Sequence, residues 1–269
     1  SIMYPTIHPP KKEDKGRLLR ILFYIIFISL LIWSFQSLNY RGIALTAQGT
    51  FNGMLRGLFQ PDINYLTNLT IDGLPYAILE TIAIAIAGTF ISGILAIPFS
   101  IIAAQNIVGI KTARIGKFII TMIRSFPELI LALIFIAIVG PGAPAGILAL
   151  GIHSIGMLGK LYSEAIEAMD IGVKEAIESV GGNHLEILFR AILPQVAPEF
   201  MSYTLFRFEI NMRAASTLGL VGAGGIGAPL LFAIRSRQWD RTFMIVIMLV
   251  ITVTLIDYIS GRIRRKLIQ

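Results

Sequence analysis

Among the ionisable residues inside long apolar runs are Arg124, Glu128, Arg207, Glu209 and Arg213. Two chemistries are open to them. An arginine in an apolar setting grips an oxyanion through its bidentate fork. Alternatively it closes a salt bridge with a carboxylate such as Glu209, Glu128 or Glu80. On one helix Arg207 and Glu209 point about 200° apart and do not pair simply. Arg213 is again out of phase with Arg207, so one narrow face cannot carry all three. Arg124 and Glu128 are one helical turn apart, and that spacing favours a structural pair unless Pro127 breaks the register.

A second group of residues is glycine-rich. Gly222, Gly224, Gly225 and Gly227 lie in GAGGIG. The segment has neither the strand before it nor the helix after it that a dinucleotide loop needs. Two readings stay open: a helix break at an outer gate, or close packing between two copies of the chain. Arg235, Arg237 and Arg241 follow as a basic trio, suited to contact with a partner protein, to drawing in anions or to lipid headgroups.

Other chemistries are thinly represented. His8, His153 and His184 are scattered, no metal-ligand spacing occurs, and His153 is expected to bond a backbone carbonyl. The absence of cysteine excludes a disulfide scaffold, Cys-ligated zinc and a thiol nucleophile. No glycine-rich loop ending in Lys-Ser or Lys-Thr occurs, so ATP hydrolysis belongs to a partner if it is involved. A membrane-embedded enzyme built on Arg207, Glu209 and Arg213 lacks any paired carboxylates or nucleophile–base spacing.

The elements that position these residues follow from the apolar excess. Of 269 residues, 55% are hydrophobic and 14% charged, against about 25% charged in soluble chains. Runs near 20 apolar residues cross a bilayer. They predict an all-α polytopic membrane protein with about six spans: 21–38, 74–104, 118–139, 147–163, 196–220 and 242–260. Residues 1–20 form a basic N-terminus. Residues 39–73 form an extracytoplasmic loop, in which the stripe of Phe51, Met54, Leu55, Leu58 and Phe59 leaves two readings open: an amphipathic, interfacial helix or a loop with some structure. Residues 74–260 form the transmembrane core with a polar loop at 164–195, and 261–269 a basic C-terminus. Pro98 is a kink candidate, and GPGAPAG at 140–146 a turn. Of 23 Lys and Arg, fifteen lie on the side of the termini, five on the other side and three within spans. That split places both termini in the cytoplasm and explains the +7 net charge without nucleic acid.

The polar loop contains EAIESVGGNHLEILFRAILPQ. Its composition predicts two short helices, 175–180 and 184–191, separated by Gly181 and Gly182, with Pro194 opening the next helix. A rigid projecting element of this kind suits docking in a groove of a soluble partner. Glu175, Ala176, Gly181, Leu193 and Pro194 resemble the EAA loop of permease subunits of ATP-binding-cassette importers. Ile177 and Ala191 depart from that pattern, apolar for apolar. RSFPELILAL (124–133), NMRAASTLGLVGAGGIG (211–227) and RSRQWDRT (235–242) resemble the phosphonate-type permeases, and GAGGIG also the methionine type. The resemblance, from about residue 70 onward, implies a coupling helix seated on an ATPase. It implies a homodimer in a bacterial inner membrane, two ATPase subunits that bind ATP and Mg, and an extracytoplasmic phosphonate-binding protein. It implies no cofactor in this chain. A methionine-type or other small-anion importer, and a passive channel, are the alternatives.

Overall fold

The computed structural model describes residues 15–37 and 41–268. The first fourteen residues, His8 among them, lie outside the described residues. Two compact units divide the chain, Ser1–Asn52 and Gly53–Gln269. In the first, α1 (Lys15–Ser37) is an apolar helix whose described side chains are all exposed. An apolar helix of that length with no polar face belongs in lipid. Helix α2 (Arg41–Phe59) begins in the first unit and ends in the second. Phe51, Met54, Leu55, Leu58 and Phe59 are exposed along it.

The second unit continues with α3 (Ile63–Thr67), α4 (Leu74–Ala103), α5 (Gln105–Ser125), α6 (Glu128–Val139) and α7 (Ala143–Ala168). Then come α8 (Ile171–Ser179), α9 (His184–Glu186), a π turn (Ile187–Ile192) and α10 (Leu193–Leu218). A 3-10 turn (Gly219–Val221), α11 (Gly227–Arg235) and α12 (Trp239–Ile268) complete it. No strand occurs among the described residues. Helices α4 and α7 pack along most of their lengths, and small residues make this approach close. Ala85, Ser92 and Ala96 of α4 and Ala145, Ala149 and Ser154 of α7 are fully buried. A Cβ on Gly88 would stand 3.0 Å from the Leu150 Cβ. Ile84, Leu150, Met212 and Leu218 fill the middle of the core. Leu158, Tyr162, Ile192 and Val196 fill one end, where the Tyr162 ring stacks on Phe200 at 3.9 Å.

Four helical stretches are long and apolar enough to cross a membrane: Leu19–Ser37, Leu74–Ala103, Ala143–Ala168 and Trp239–Leu267. The expected span at 118–139 is not one helix. It is α5 and α6, bent by 77° at Phe126–Pro127. The cause is local. Phe126 takes extended angles (φ −77°, ψ 122°), as a residue preceding proline prefers, and Pro127 has no N–H to continue the ladder. Counted as one broken span, α5–α6 brings the total to five. The fifth expected span, at 196–220, is α10, which has the length at 26 residues but carries Glu199, Arg207, Glu209 and Arg213. The helix expected from 147 begins at Ala143, so only 140–142 of the expected 140–146 turn is turn.

Candidate functional site

The polar segment at 164–195 forms a rigid projection. Asp170 caps α8 by accepting from Gly172 N–H at 2.9 Å. Gly181, at φ +84°, takes the left-handed conformation that closes the turn. Asn183 and Glu186 form a capping box: Asn183 Oδ1 accepts from Glu186 N–H at 2.9 Å, and Glu186 Oε2 accepts from Asn183 N–H at 3.0 Å. The second short helix does not stop at 191. Backbone angles stay helical from His184 through the π turn into α10, so the projection and α10 are one rod. The wide turn lies directly before Pro194, whose missing N–H and bulky ring a regular α turn accommodates poorly. Lys174 Nζ donates to the Asn106 carbonyl at 3.0 Å, and Gln195 Nε2 to the Asp170 carbonyl at 3.3 Å. These bonds tie α8 to the foot of the core. Glu175, Ala176 and Gly181 are exposed, Gly182 and Leu193 half-buried and Pro194 exposed. Val180, Leu185 and Phe189 present an uncovered apolar patch beside them.

The five intramembrane charges separate. Arg207 is buried against α7, where its Nε donates to Ser154 Oγ at 2.8 Å and its Nη1 lies 3.1 Å from Met157 Sδ. Behind Ser154 stands a buried polar chain. Ser154 Oγ donates to Asn211 Oδ1 at 3.2 Å, and Asn211 Nδ2 donates to Thr89 Oγ1 at 2.8 Å. Thr89, Ser154 and Asn211 were not singled out in the sequence. The cue was there: Asn211 is one helical turn from Arg207, inside an apolar run. Glu209 points elsewhere, with Arg264 Nη2 3.6 Å from its Oε1. Arg213 pairs with Asp257 at 2.8 Å. The phase argument against one shared face therefore holds.

The expected Arg124–Glu128 pair does not form. The α5–α6 break falls between them, and no ion pair joins them among the described residues. Arg124 instead lines a cavity of about 250 Å³ with Lys117, Lys160, Glu164 and Glu167. His153 Nδ1 lies 3.1 Å from the Phe126 carbonyl and donates to it, satisfying an acceptor that the break leaves without a helical donor. That is the carbonyl bond expected of this residue.

The Arg213–Asp257 pair links α10 to α12 within two helices that the sequence reads as membrane spans. Asp257→Ala leaves the guanidinium without its partner and is expected to destabilise the chain by about 1–3 kcal/mol. The double variant Arg213→Met, Asp257→Leu is expected to recover much of that loss, because it removes both charges together. Thermal unfolding in detergent measures both; equal losses in the two variants would show that the pair is not coupled.

At the other end, the glycine-rich segment is clamped inside the chain. Gly222, Gly224 and Gly225 have positive φ. Glu80 Oε2 accepts from Gly225 N–H at 2.9 Å, Thr81 Oγ1 accepts from Ile226 N–H at 2.8 Å, and Gly142 N–H donates to the Gly222 carbonyl at 2.9 Å. Gly227 opens α11, and a Cβ there would meet the Ser216 carbonyl oxygen. The segment, Glu80, Asp72, Tyr65 and Arg241 line a cavity of about 730 Å³. Arg241 donates through Nε to Asp62 at 3.2 Å and lies over the Tyr65 ring. Burial pushes the Tyr65 phenol above its usual range, with the Arg241 charge opposing. Arg235 and Arg237 are exposed and make no ion pair among the described residues. Arg237 caps α11 at φ +54°, a position where glycine is usual.

An all-helical chain with several membrane-crossing helices, a broken span and a rigid polar projection is a polytopic transport-type membrane protein. Residues 96–269 match the family described as the binding-protein-dependent transport system inner membrane component, and the chain belongs to that family. It is 39% identical over 189 residues to a phosphite transport system permease protein of Stutzerimonas stutzeri, covering 70% of this chain and 69% of that protein. It is 47% identical over 121 residues to a protein of Escherichia coli (strain K12) named, provisionally, as a cryptic phosphonate transport system permease; the match covers 45% of this chain and 99% of that one. The fold resembles a chain of the MetNI methionine ABC transporter in an inward facing conformation, with a TM-score of 0.62 at 23% identity over 72% of this chain and 95% of that chain. The chain is thus a permease subunit of an ATP-binding-cassette transporter in a bacterial inner membrane. It works in a complex with an ATPase and a binding protein, and ATP is hydrolysed on the partner.

Proposed function

We propose that two copies of this chain form the membrane path of an importer for phosphonates or a related small phosphorus oxyanion. The observation that carries the substrate class is the likeness to a phosphite and a phosphonate permease. Both termini lie in the cytoplasm, as the distribution of Lys and Arg favours. Two ATPase subunits receive Glu175, Ala176, Gly181, Gly182, Leu193 and Pro194 in their clefts, and ATP with Mg binds there. Because α9, the π turn and α10 form one rod, closure of the ATPases is delivered along α10 to Arg207. Arg124, Glu128, Arg207, Glu209 and Arg213 set the potential along the path. The clamped loop Gly222, Gly224, Gly225 and Gly227 is the outer gate. Arg235, Arg237 and Arg241 face the binding protein, with Arg241 already engaged by Asp62.

The test is ATP hydrolysis by the complex in lipid, with its ATPase and binding protein, with and without methylphosphonate or phosphite. Stimulation by the loaded binding protein is expected. A complex that assembles and hydrolyses ATP yet ignores both anions would overturn the substrate class. Failure to assemble with the ATPase would overturn the docking role of Glu175–Pro194.

A further inference from the structure

The α5–α6 break sets the start of the Arg124 side chain against α7, one residue before the point where Arg207 meets that helix. A Cβ on Gly156 would stand 2.8 Å from the backbone N of Arg124. The next residue, Met157, touches Arg207 through its sulfur. Neither arginine makes an ion pair among the described residues. Arg207 is 3% exposed, and its Nη2 has no hydrogen-bond partner. Helix α10 is about 39 Å long and Arg207 stands about halfway along it. Its cation is therefore unpaired at a depth where that is costly.

The guanidinium is also held still. The chain Thr89–Asn211–Ser154 ends on Arg207 Nε, so the far nitrogen is aimed by a buried support rather than by its own flexible stem. Arg124 is the uncommitted cation of its cavity. There Lys117 already pairs with Glu167 at 2.8 Å, and Lys160 with Glu164 at 3.6 Å. Glu128 opens α6 on the far side of the break from Arg124. Broken membrane helices recur where a transported ion is held near the midplane.

We propose that Arg207 and Arg124, beside successive residues of α7, are two holding sites for the crossing oxyanion. The inference rests on the substrate class given above and names where in the membrane that substrate is gripped. In this conformation Arg207 is closed off. It opens when the α6 side of the break moves and lets a phosphorus oxyanion reach the free Nη2. The three acceptor oxygens of such an anion match the donors of a guanidinium fork.

The experiment uses the whole complex in proteoliposomes, with methylphosphonate-loaded binding protein, and reads uptake and ATP hydrolysis in the same vesicles. Arg207→Gln and Arg124→Gln are each expected to cut anion taken up per ATP by roughly ten- to a hundred-fold, while stimulated hydrolysis persists. Arg207→Lys keeps part of the uptake, because charge survives without the fork. Arg114→Gln, exposed outside these sites, leaves both readings at wild type. Uptake per ATP unchanged in Arg207→Gln would overturn the proposal. So would a fall of uptake and hydrolysis in step with lost thermal stability, which is the mark of a merely structural arginine. A wild-type complex that imports neither methylphosphonate nor phosphite overturns the substrate class and this inference together, and it does so before any variant is compared.

Discussion

Gly181→Arg is expected to leave the chain folded in the membrane and to abolish both its association with the ATPase and ATP-driven uptake. The local geometry separates these effects. Nothing lies within 4 Å of a Cβ at Gly181, so a side chain leaves the backbone there into open space. The internal cost is the positive φ alone, about 1–2 kcal/mol for a residue with a Cβ. The capping box of Asn183 and Glu186 and the ties at Lys174 and Gln195 hold the turn in place around it. A complete loss of function therefore has to come from what the side chain meets outside the chain. Gly181→Ala carries the same strain without the bulk, and is expected to keep most uptake. Co-purification of the ATPase and uptake in vesicles read both variants. If Gly181→Arg assembles and transports normally, this turn does not enter a partner cleft. If Gly181→Ala fails equally, backbone strain rather than docking is the cause.

The part of the site that the sequence revealed is the part set by local chemistry. Two glycines between helix formers mark the turn at 181–182, and helical phase alone separates Arg207 from Glu209. Local spacing misled at Arg124 and Glu128. One turn of separation promises a pair only while the helix is intact, and Pro127 between them breaks it. The rod from His184 through α10 was read as two pieces, because a proline inside a run looks like a boundary until a π turn absorbs it. What stayed hidden depends on tertiary contacts. Thr89, Ser154 and Asn211 come from three helices, and nothing local says that they meet. The clamp on the glycine loop joins positions 145 residues apart; Glu80 stands out as a charge in an apolar run, but nothing local says that it and Thr81 meet that loop. Reading the fold class needed only the apolar runs. The number of spans depended on whether a break and four charges disqualify a helix, which is a question of packing partners.

The clamp yields the second large effect. Gly224→Val is expected to destabilise the chain by roughly 3–5 kcal/mol, from overpacking together with left-handed strain. Its Cβ would lie 2.7 Å from Ala143 N, 2.9 Å from Ala143 Cα and 3.0 Å from Glu80 Oε1, at φ +82°. Two of these contacts are backbone at the start of α7, which cannot swing aside as a side chain would. The third is the carboxylate that receives Gly225 N–H, so relief of the clash breaks the clamp itself. Two residues earlier the same chemistry is mild. A Cβ on Gly222 finds its nearest atom at 3.9 Å, so Gly222→Ala is expected to cost only the φ strain, about 1–2 kcal/mol. Thermal unfolding in detergent ranks the two variants, and uptake by the assembled complex follows. Equal stability of Gly224→Val and wild type would mean that the loop is not held against α4 and α7 as described. A further comparison isolates the gate from the scaffold. Thr81→Val keeps the shape and removes the acceptor for Ile226 N–H. Its loss of one hydrogen bond costs the buried donor about 1–3 kcal/mol. Should it stay folded and hydrolyse ATP without importing anion, the clamp acts in opening and closing the path. Should uptake follow stability in all three variants, the loop is packing and the gate lies elsewhere.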